Sequence, residues 1–359
     1  MSAIQLCLVL VLTSATTMGC VGPVKHKTTT DFPAAVLYAV GTPPVIDGRA
    51  RFREIFCGLL AAEPEYNAPD SVCDNFLLRF NDEPLPDENP RPVPKLSTRY
   101  RVMVVPGFLN ECFAGTALPF EDAIRSLNER GFQIDKMVVS GRSSSDANAA
   151  YIAGAINNLD LGEDEKLVLV GHSKGAVDIL HCLVNFPQAV RHVAAVVSVA
   201  GAINGSPLAA KMKTIYNGLV WKWSPAECDT GDDGALDSLR PAIRLNWMAA
   251  NPLPKSVRYF SLASVTNHDH VNTLLRTGYE LLWIYSPRND GLLLSVDQLI
   301  PGGTLLGYAN ADHWSVALPL ENKNYLISET IRAPIKFPRS ILLHALLIYV
   351  AEALEPEQE

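Results

Sequence analysis

Short apolar runs alternate with segments of helical periodicity from residue 100 onward. The apolar runs are predicted as buried strands over residues 100–105, 136–140, 166–170, 192–200, 257–264 and 304–308. The periodic segments are predicted as helices over residues 120–130, 146–159, 176–184 and 340–352. This alternation is typical of an α/β fold, a mainly parallel sheet with helices on both faces. Active sites in such sheets lie at the carboxyl ends of the strands.

The region before residue 99 has a weaker pattern. Residues 47–62 have helical spacing with apolar side chains on one side, and residues 71–80 are predicted as a second short helix. We interpret residues 21–98 as a tether and N-terminal helical extension, packed against a main domain over residues 99–355. No chemistry is expected in the extension.

The first 20 residues resemble a targeting segment. Residues 3–12 are mostly apolar, and small residues precede Cys20, as in a secretory signal. Gly19 and Cys20 resemble the end of a bacterial lipobox, in which the cysteine is lipidated, although Met18 departs from that pattern. Three outcomes stay open: a lipoprotein attached to a membrane through Cys20, an ordinary secreted protein, and an uncleaved anchor. We expect an exported protein, either secreted or a periplasmic, outer-membrane or cell-surface lipoprotein.

Composition and charge indicate the size of the fold and argue against nucleic acid binding and internal membrane spans. The 359 residues are 48% hydrophobic and 19% charged, which fits one large globular domain, alone or with an extension. The net charge is −8, with no long basic run, so no nucleic acid partner is expected. After the N-terminus no run of 18 apolar residues occurs, so no internal membrane span is expected.

Seven cysteines agree with export, and two of them lie within the targeting segment. In an oxidising compartment, Cys57 with Cys73 and Cys112 with Cys228 would form disulfides, and Cys182 would be buried on a helix. The alternative is that all five are unpaired small core residues.

The residues G-H-S-K-G at 171–175 join a predicted strand to a predicted helix. A serine between two glycines at a strand-to-helix turn is typical of a nucleophile elbow, which exposes the hydroxyl of Ser173 above the sheet. Side chains at the glycine positions would clash with the adjacent strand and helix. The alternative interpretation is a glycine-rich turn in another kind of α/β protein.

A serine hydroxyl needs a base to take its proton and an acid to orient that base. In one large class of α/β enzymes these groups follow in the order serine, acid, histidine. Asp290 lies in an N-D-G turn downstream of Ser173, and His313 closely follows the last predicted strand. The order predicts Asp290 as the acid and His313 as the base, against the alternatives of an ordinary turn and a surface histidine.

Other titratable residues fit less well. His172 is adjacent to the serine, but its side chain is expected to point the other way. Asp312 is too close to His313 in sequence to orient its ring. His268 and His270 flank an aspartate, but no third ligand stands out, so no metal is expected.

Backbone donors are also expected near the serine. A tetrahedral intermediate needs two N–H groups for its oxyanion. Lys174, directly after the serine, and Phe108, in the loop after the first core strand, are predicted to supply them. The alternative for Phe108 is a turn that merely closes a strand.

Five segments together resemble bacterial lipases and esterases of the α/β-hydrolase superfamily. They are V-V-P-G-F at 104–108, G-H-S-K-G at 171–175, S-V-A-G-A-I-N-G-S-P-L-A at 198–209, N-D-G-L-L at 289–293 and A-D-H-W at 311–314. The resemblance implies acyl-ester hydrolysis without a cofactor, through an acyl-enzyme on Ser173, with His313 as base and then acid.

Two departures accompany the resemblance. Many such lipases have His-Gly in the oxyanion loop, where this chain has Pro106 and Gly107. Lys174 replaces a more usual Met or Gln, which is expected to put a charge beside the site.

The resemblance also implies a cap or lid over residues 207–255. Trp221 and Trp223 lie in this insertion and would bind an acyl chain or a lipid surface, or else pack the cap onto the sheet. The predicted function is that of a lipase or carboxylesterase acting on an acyl-ester or lipid substrate. An acyltransferase or thioesterase on the same three residues, and a non-catalytic cell-surface module with the hydrolase fold, are the alternatives.

Overall fold

The computed structural model describes residues 44–66, 71–80, 82–85, 100–108, 118–162, 165–211, 231–320 and 336–355. The strands are β1 (Ile46–Asp47), β2 (Leu77–Leu78), β3 (Tyr100–Val105), β4 (Ile134–Lys136), β5 (Lys166–His172), β6 (Val193–Val199), β7 (Arg258–Val265) and β8 (Thr304–Asn310). The helices are α1 (Arg49–Ala62), α2 (Ser71–Phe76), α3 (Glu121–Glu129), α4 (Ser145–Asn157), α5 (Lys174–Asn185), α6 (Pro187–Val190), α7 (Ala235–Ser238), α8 (Pro241–Ala250), α9 (Arg276–Trp283) and α10 (Arg339–Leu354).

The eight described strands form one mainly parallel sheet. Seven of them follow the order β1-β8-β7-β6-β5-β3-β4, and every pairing along this path is parallel. Only β2 runs antiparallel, against the end of β8. The carboxyl ends of β5, β7 and β8 therefore lie at the same edge of the sheet, where the sequence places its suspected chemistry.

Alternate strand residues fill two apolar cores, one on each face of the sheet. In β5, Val168 and Val170 pack with side chains of α1, α3 and α10, whereas Leu167 and Leu169 pack with α4 and α5. These side chains are all at most 1% exposed. The predicted α/β architecture with helices on both faces is confirmed, because near-continuous apolar strands require cover on both sides.

The N-terminal region is part of the sheet rather than only packed against it. Ile46 and Asp47 pair with the start of β8, and Leu77 and Leu78 pair with its end. The sheet thus crosses the boundary that the sequence predicts near residue 98.

Within the described residues, no helix is both long enough and apolar enough to cross a membrane.

A disulfide joins the two N-terminal helices. Cys57 of α1 and Cys73 of α2 are bonded, with their Cα atoms 5.5 Å apart, as predicted. Cys182 is buried and free on α5, also as predicted. Cys112 and Cys228 lie outside the described residues, so their pairing stays a prediction.

Two predicted elements differ from the structure. The strand predicted over 136–140 lies earlier, because Ile134 to Lys136 are the residues that pair with β3. The helix predicted over 71–80 ends at Phe76, where the chain turns into β2. The Arg53 guanidinium accounts for this early end, since it donates hydrogen bonds to the carbonyls of Leu77 and Leu78, both at 2.9 Å.

Candidate active site

The elbow at Ser173 has strained backbone. Ser173 adopts φ 57° and ψ −126° between β5 and α5, a conformation that non-glycine residues rarely adopt. A Cβ on Gly171 would come within 2.5 Å of the Ala176 backbone, and one on Gly175 within 2.5 Å of the backbone oxygens of Val105 and Pro106 at the end of β3. The predicted clash at both glycines is therefore present, and the tight turn depends on them.

Three side chains that are distant in sequence meet at the carboxyl edge of the sheet. The Oγ of Ser173 lies 2.8 Å from Nε2 of His313, and Nδ1 of the same ring lies 2.8 Å from Oδ2 of Asp290. Serine, histidine and aspartate are 8%, 2% and 0% exposed. An ionised carboxylate can only accept, so Nδ1 carries the proton and Nε2 is left to accept the serine hydroxyl.

The Asp290 carboxylate is surrounded by donors. Its Oδ1 accepts the N–H groups of Leu292 and Leu293 at 2.9 and 2.7 Å. Its Oδ2 accepts Nδ1–H of His313 and, at 3.3 Å, the side-chain amide of Gln298. These four donors satisfy both oxygens of the buried carboxyl group and hold the oxygen that faces the histidine.

Asp312, the neighbour of His313, has a different task. It accepts backbone N–H groups from Asn272, Trp314 and Ser315 at 2.9, 2.9 and 2.8 Å. Burial raises the pKa of Asp312, and these hydrogen bonds oppose the rise. The residue therefore shapes the loop after β8, and the structure brings Asp290 rather than Asp312 to the histidine ring.

The loop after β3 lies against the serine. A Cβ added to Gly107 would stand 2.7 Å from the Ser173 Cβ and 3.2 Å from its Oγ. Phe108 follows directly, and Lys174 begins α5. The two predicted oxyanion donors are thus the chain neighbours of Gly107 and Ser173, and Lys174 lies at the N-terminus of a helix, where N–H groups are not used within the helix. Their role as donors stays a prediction.

Comparison with known proteins decides the family. No protein-family model matches the sequence, and none of the curated proteins matches it. Among solved structures, the metagenomic carboxyl esterase MGS0156 is 40% identical over 86% of this chain and 93% of its own, with a TM-score of 0.79. The chain belongs to this carboxyl esterase family. The Bacillus licheniformis lipase BlEst2 in its propeptide form is 20% identical over 68% of this chain and 53% of its own, with a TM-score of 0.52, and shares the fold.

The α/β-hydrolase fold expected from the motifs is therefore confirmed for this carboxyl esterase. Its elbow differs from expectation in the side chain of Lys174. The Nζ of Lys174 is buried and lies 2.7 and 2.8 Å from the two oxygens of Asp178, one turn along α5. Asn148 donates to the same carboxylate at 2.7 Å. The expected charge beside the site is therefore paired inside the protein, because an unpaired buried ammonium would be costly.

Two residues near the esterase site were not identified from the sequence. His172 was expected to point away, but its Nε2 lies 2.9 Å from the carbonyl oxygen of His313. Gln298 contacts Asp290 from a short helical turn that carries no motif. No local sequence pattern indicates either contact, because each joins two segments that are distant in sequence and meet only in the folded protein.

The remaining residues considered from the sequence comprise three outside the described parts of the chain and two histidines on its surface. Trp221, Trp223 and Cys20 fall outside the described residues. His268 faces Glu280 at 3.5 Å, and His270 faces the side chain of Asn267 at 3.1 Å. Across the described parts of the esterase, no three His, Cys, Asp or Glu side chains are grouped as metal ligands would be.

Proposed function

We propose that this carboxyl esterase hydrolyses acyl esters through an acyl-enzyme on Ser173. The observation that carries the proposal is the hydrogen-bonded series from Ser173 Oγ through the His313 ring to Asp290, with both distances 2.8 Å. Membership of the carboxyl esterase family supports the ester as substrate. No cofactor takes part in this reaction.

Each of the three side chains has a defined role in the proposed reaction. The hydroxyl oxygen of Ser173 attacks the ester carbonyl carbon while its proton passes to Nε2 of His313. Asp290 holds the Nδ1–H of the ring and stabilises the imidazolium that forms. The N–H groups of Phe108 and Lys174 stabilise the negative oxygen of the tetrahedral intermediate.

The proton then leaves the imidazolium and joins the departing alcohol, and the acyl group stays on Ser173 as an ester. Water attacks this acyl-enzyme with His313 again as base. The product acid departs, and the serine regains its proton from the histidine. The cycle consumes one water and leaves the enzyme unchanged.

The cap and the targeting segment complete the proposal. Trp221 and Trp223 would contact the acyl chain from the insertion at 207–255, and residues 1–20 would direct export, with lipidation of Cys20. The Cys57–Cys73 disulfide supports an oxidising compartment.

Two substitutions test these two parts of the proposal. Cys20→Ala should move the protein from the membrane fraction to the soluble fraction. Alanine at both Trp221 and Trp223 should raise KM for long-chain esters more than for short-chain esters.

The test of the reaction is hydrolysis of p-nitrophenyl esters of increasing chain length by the full chain. Ser173→Ala should abolish turnover without lowering the midpoint of thermal unfolding, and His313→Ala should lower kcat by roughly three orders of magnitude or more. The proposal would be overturned if Ser173→Ala still hydrolysed the esters. It would also be overturned if the wild-type protein neither hydrolysed the esters nor reacted with a fluorophosphonate. Adding a competing alcohol and measuring the new ester would show transfer in place of hydrolysis.

A further inference from the structure

His172, the second residue of the elbow, contacts the histidine of the active site. Its side chain is 4% exposed, and its Nε2 lies 2.9 Å from the backbone carbonyl oxygen of His313. A carbonyl oxygen only accepts hydrogen bonds, so the Nε2 of His172 must carry the proton and donate it.

The backbone of His313 is thereby held at both of its polar groups. Its N–H donates to the carbonyl oxygen of Asp290 at 2.9 Å, and its own carbonyl accepts from His172. Asp290 is also the partner of the His313 ring, and His172 is covalently next to Ser173. The position of the histidine is therefore tied directly to the segments that carry the acid and the nucleophile.

The elbow histidine also stays uncharged. Burial, and secondly the neighbouring His313, lower the pKa of His172 to about 3. The two ring centroids are 5.1 Å apart, so a charged His172 would oppose the imidazolium that forms on His313 during the reaction. A neutral ring with its proton on Nε2 donates the hydrogen bond without adding that repulsion.

We propose that His172 is a positioning residue for ester hydrolysis, whose Nε2–H holds the His313 carbonyl and so keeps His313 Nε2 within reach of the Ser173 hydroxyl. The inference rests on the proposed function and adds a fourth side chain to it. His172 acts through His313 and touches no reacting atom.

Two substitutions isolate the hydrogen bond. His172→Gln and His172→Met introduce unbranched side chains of similar length, but only the glutamine carries an N–H that can reach the His313 carbonyl. If the methionine variant does not fold, His172→Asn replaces it, because its amide is one methylene too short to reach.

The measurement is kcat per reactive serine. Titration with a fluorophosphonate counts the reactive Ser173 groups in each preparation, so that misfolded protein does not lower the value. We expect kcat of the Met variant to fall roughly 30- to 100-fold below that of wild type, because a general base displaced by up to about one ångström loses activity on this scale. KM should change less than about twofold. The Gln variant should stay within about threefold of wild type.

The comparison of the two variants decides the outcome. A kcat per reactive serine at least about tenfold lower in Met (or Asn) than in Gln supports the positioning role, and any smaller difference overturns it. A purely structural role would lower the number of reactive serines and leave kcat per serine unchanged. The Ser173→Ala variant is measured first. If hydrolysis does not depend on Ser173, the proposed function itself fails, and this is known before any His172 variant is compared.

Discussion

Gln298 Nε2 lies 3.3 Å from Oδ2 of Asp290, the same oxygen that accepts Nδ1–H of His313. The amide is oriented by Ser264 at the end of β7, whose N–H donates to Oε1 at 2.6 Å and whose carbonyl accepts from Nε2 at 3.0 Å. Because one backbone residue engages both ends of the amide, its N–H rather than its oxygen faces the carboxylate.

This arrangement leads us to expect that Gln298→Met lowers kcat roughly 10- to 100-fold with little change in KM, because the carboxylate loses one of the donors that hold it. The measurement is kcat per reactive serine. Gln133→Met, the same change at an exposed position, serves as control.

A double-mutant cycle shows whether Gln298 acts through the acid. In an Asp290→Asn background, Gln298→Met should add little further loss, since the carboxylate that it supports is already gone. Fully additive losses in the cycle would argue that Gln298 affects activity by another route.

Asp290 and Asp312 should differ sharply when each is changed to asparagine. Asp290→Asn should lower kcat by about four orders of magnitude, since an amide can hold the ring in the wrong tautomer. Asp312→Asn should mainly lower the free energy of unfolding, because this residue accepts the backbone N–H of Asn272 from the loop after β7 and those of Trp314 and Ser315 from the loop after β8. Steady-state kinetics and urea unfolding of both variants would separate the two roles; a greater loss of kcat in Asp312→Asn would contradict the assignment of the acid.

Two helix glycines should respond oppositely to alanine. In Gly175→Ala the new Cβ would meet the Val105 and Pro106 carbonyl oxygens at 2.3 and 2.5 Å, so we expect a loss of about 3 kcal/mol or more in unfolding free energy. Gly154→Ala on α4 meets nothing within 4 Å and should gain about 0.5–1 kcal/mol from helix propensity. Urea unfolding measures both, and a stable Gly175→Ala protein would contradict the close approach of α5 to β3.

Asp297 should make the fold less stable as the pH rises. Burial raises the pKa of this carboxyl from 3.8 to about 6, and a hydrogen bond from Asn204 opposes part of the rise. Between these two values the folded state binds more protons than the unfolded state, so the contribution of Asp297 is fully present below about pH 3.8 and is lost as the pH rises to about 6.

Asp297→Asn removes this charge and can keep the hydrogen bond to Asn204. We expect the variant to exceed wild type in unfolding free energy at pH 7 by about 1–3 kcal/mol, and to lose most of that advantage at pH 4. Urea unfolding across this range is the measurement. An advantage that does not change with pH would show that the carboxyl group does not titrate in this window.

Local patterns in the sequence were enough to predict most of the central strands and the sharp turn at Ser173. The strand at residues 100–105 coincides with β3, because the continuous apolar run V-M-V-V at 102–105 is rich in β-branched valine and favours a buried strand. The glycines at 171 and 175 indicate the elbow for an equally local reason, since only glycine fits the close approach on either side. The order of Ser173, Asp290 and His313 could be read in the same way.

Only the tertiary structure decided what supports those residues. His172 and His313 are 141 positions apart, yet the fold puts their rings 5.1 Å from one another. The pairing of residues 46–47 and 77–78 with β8 was equally hidden, because two-residue strands have no period to detect. A buried polar group needs a hydrogen-bond partner, and the packed chain determines which group lies close enough to serve. Hydrophobic periodicity along the chain carries no information about that proximity in space.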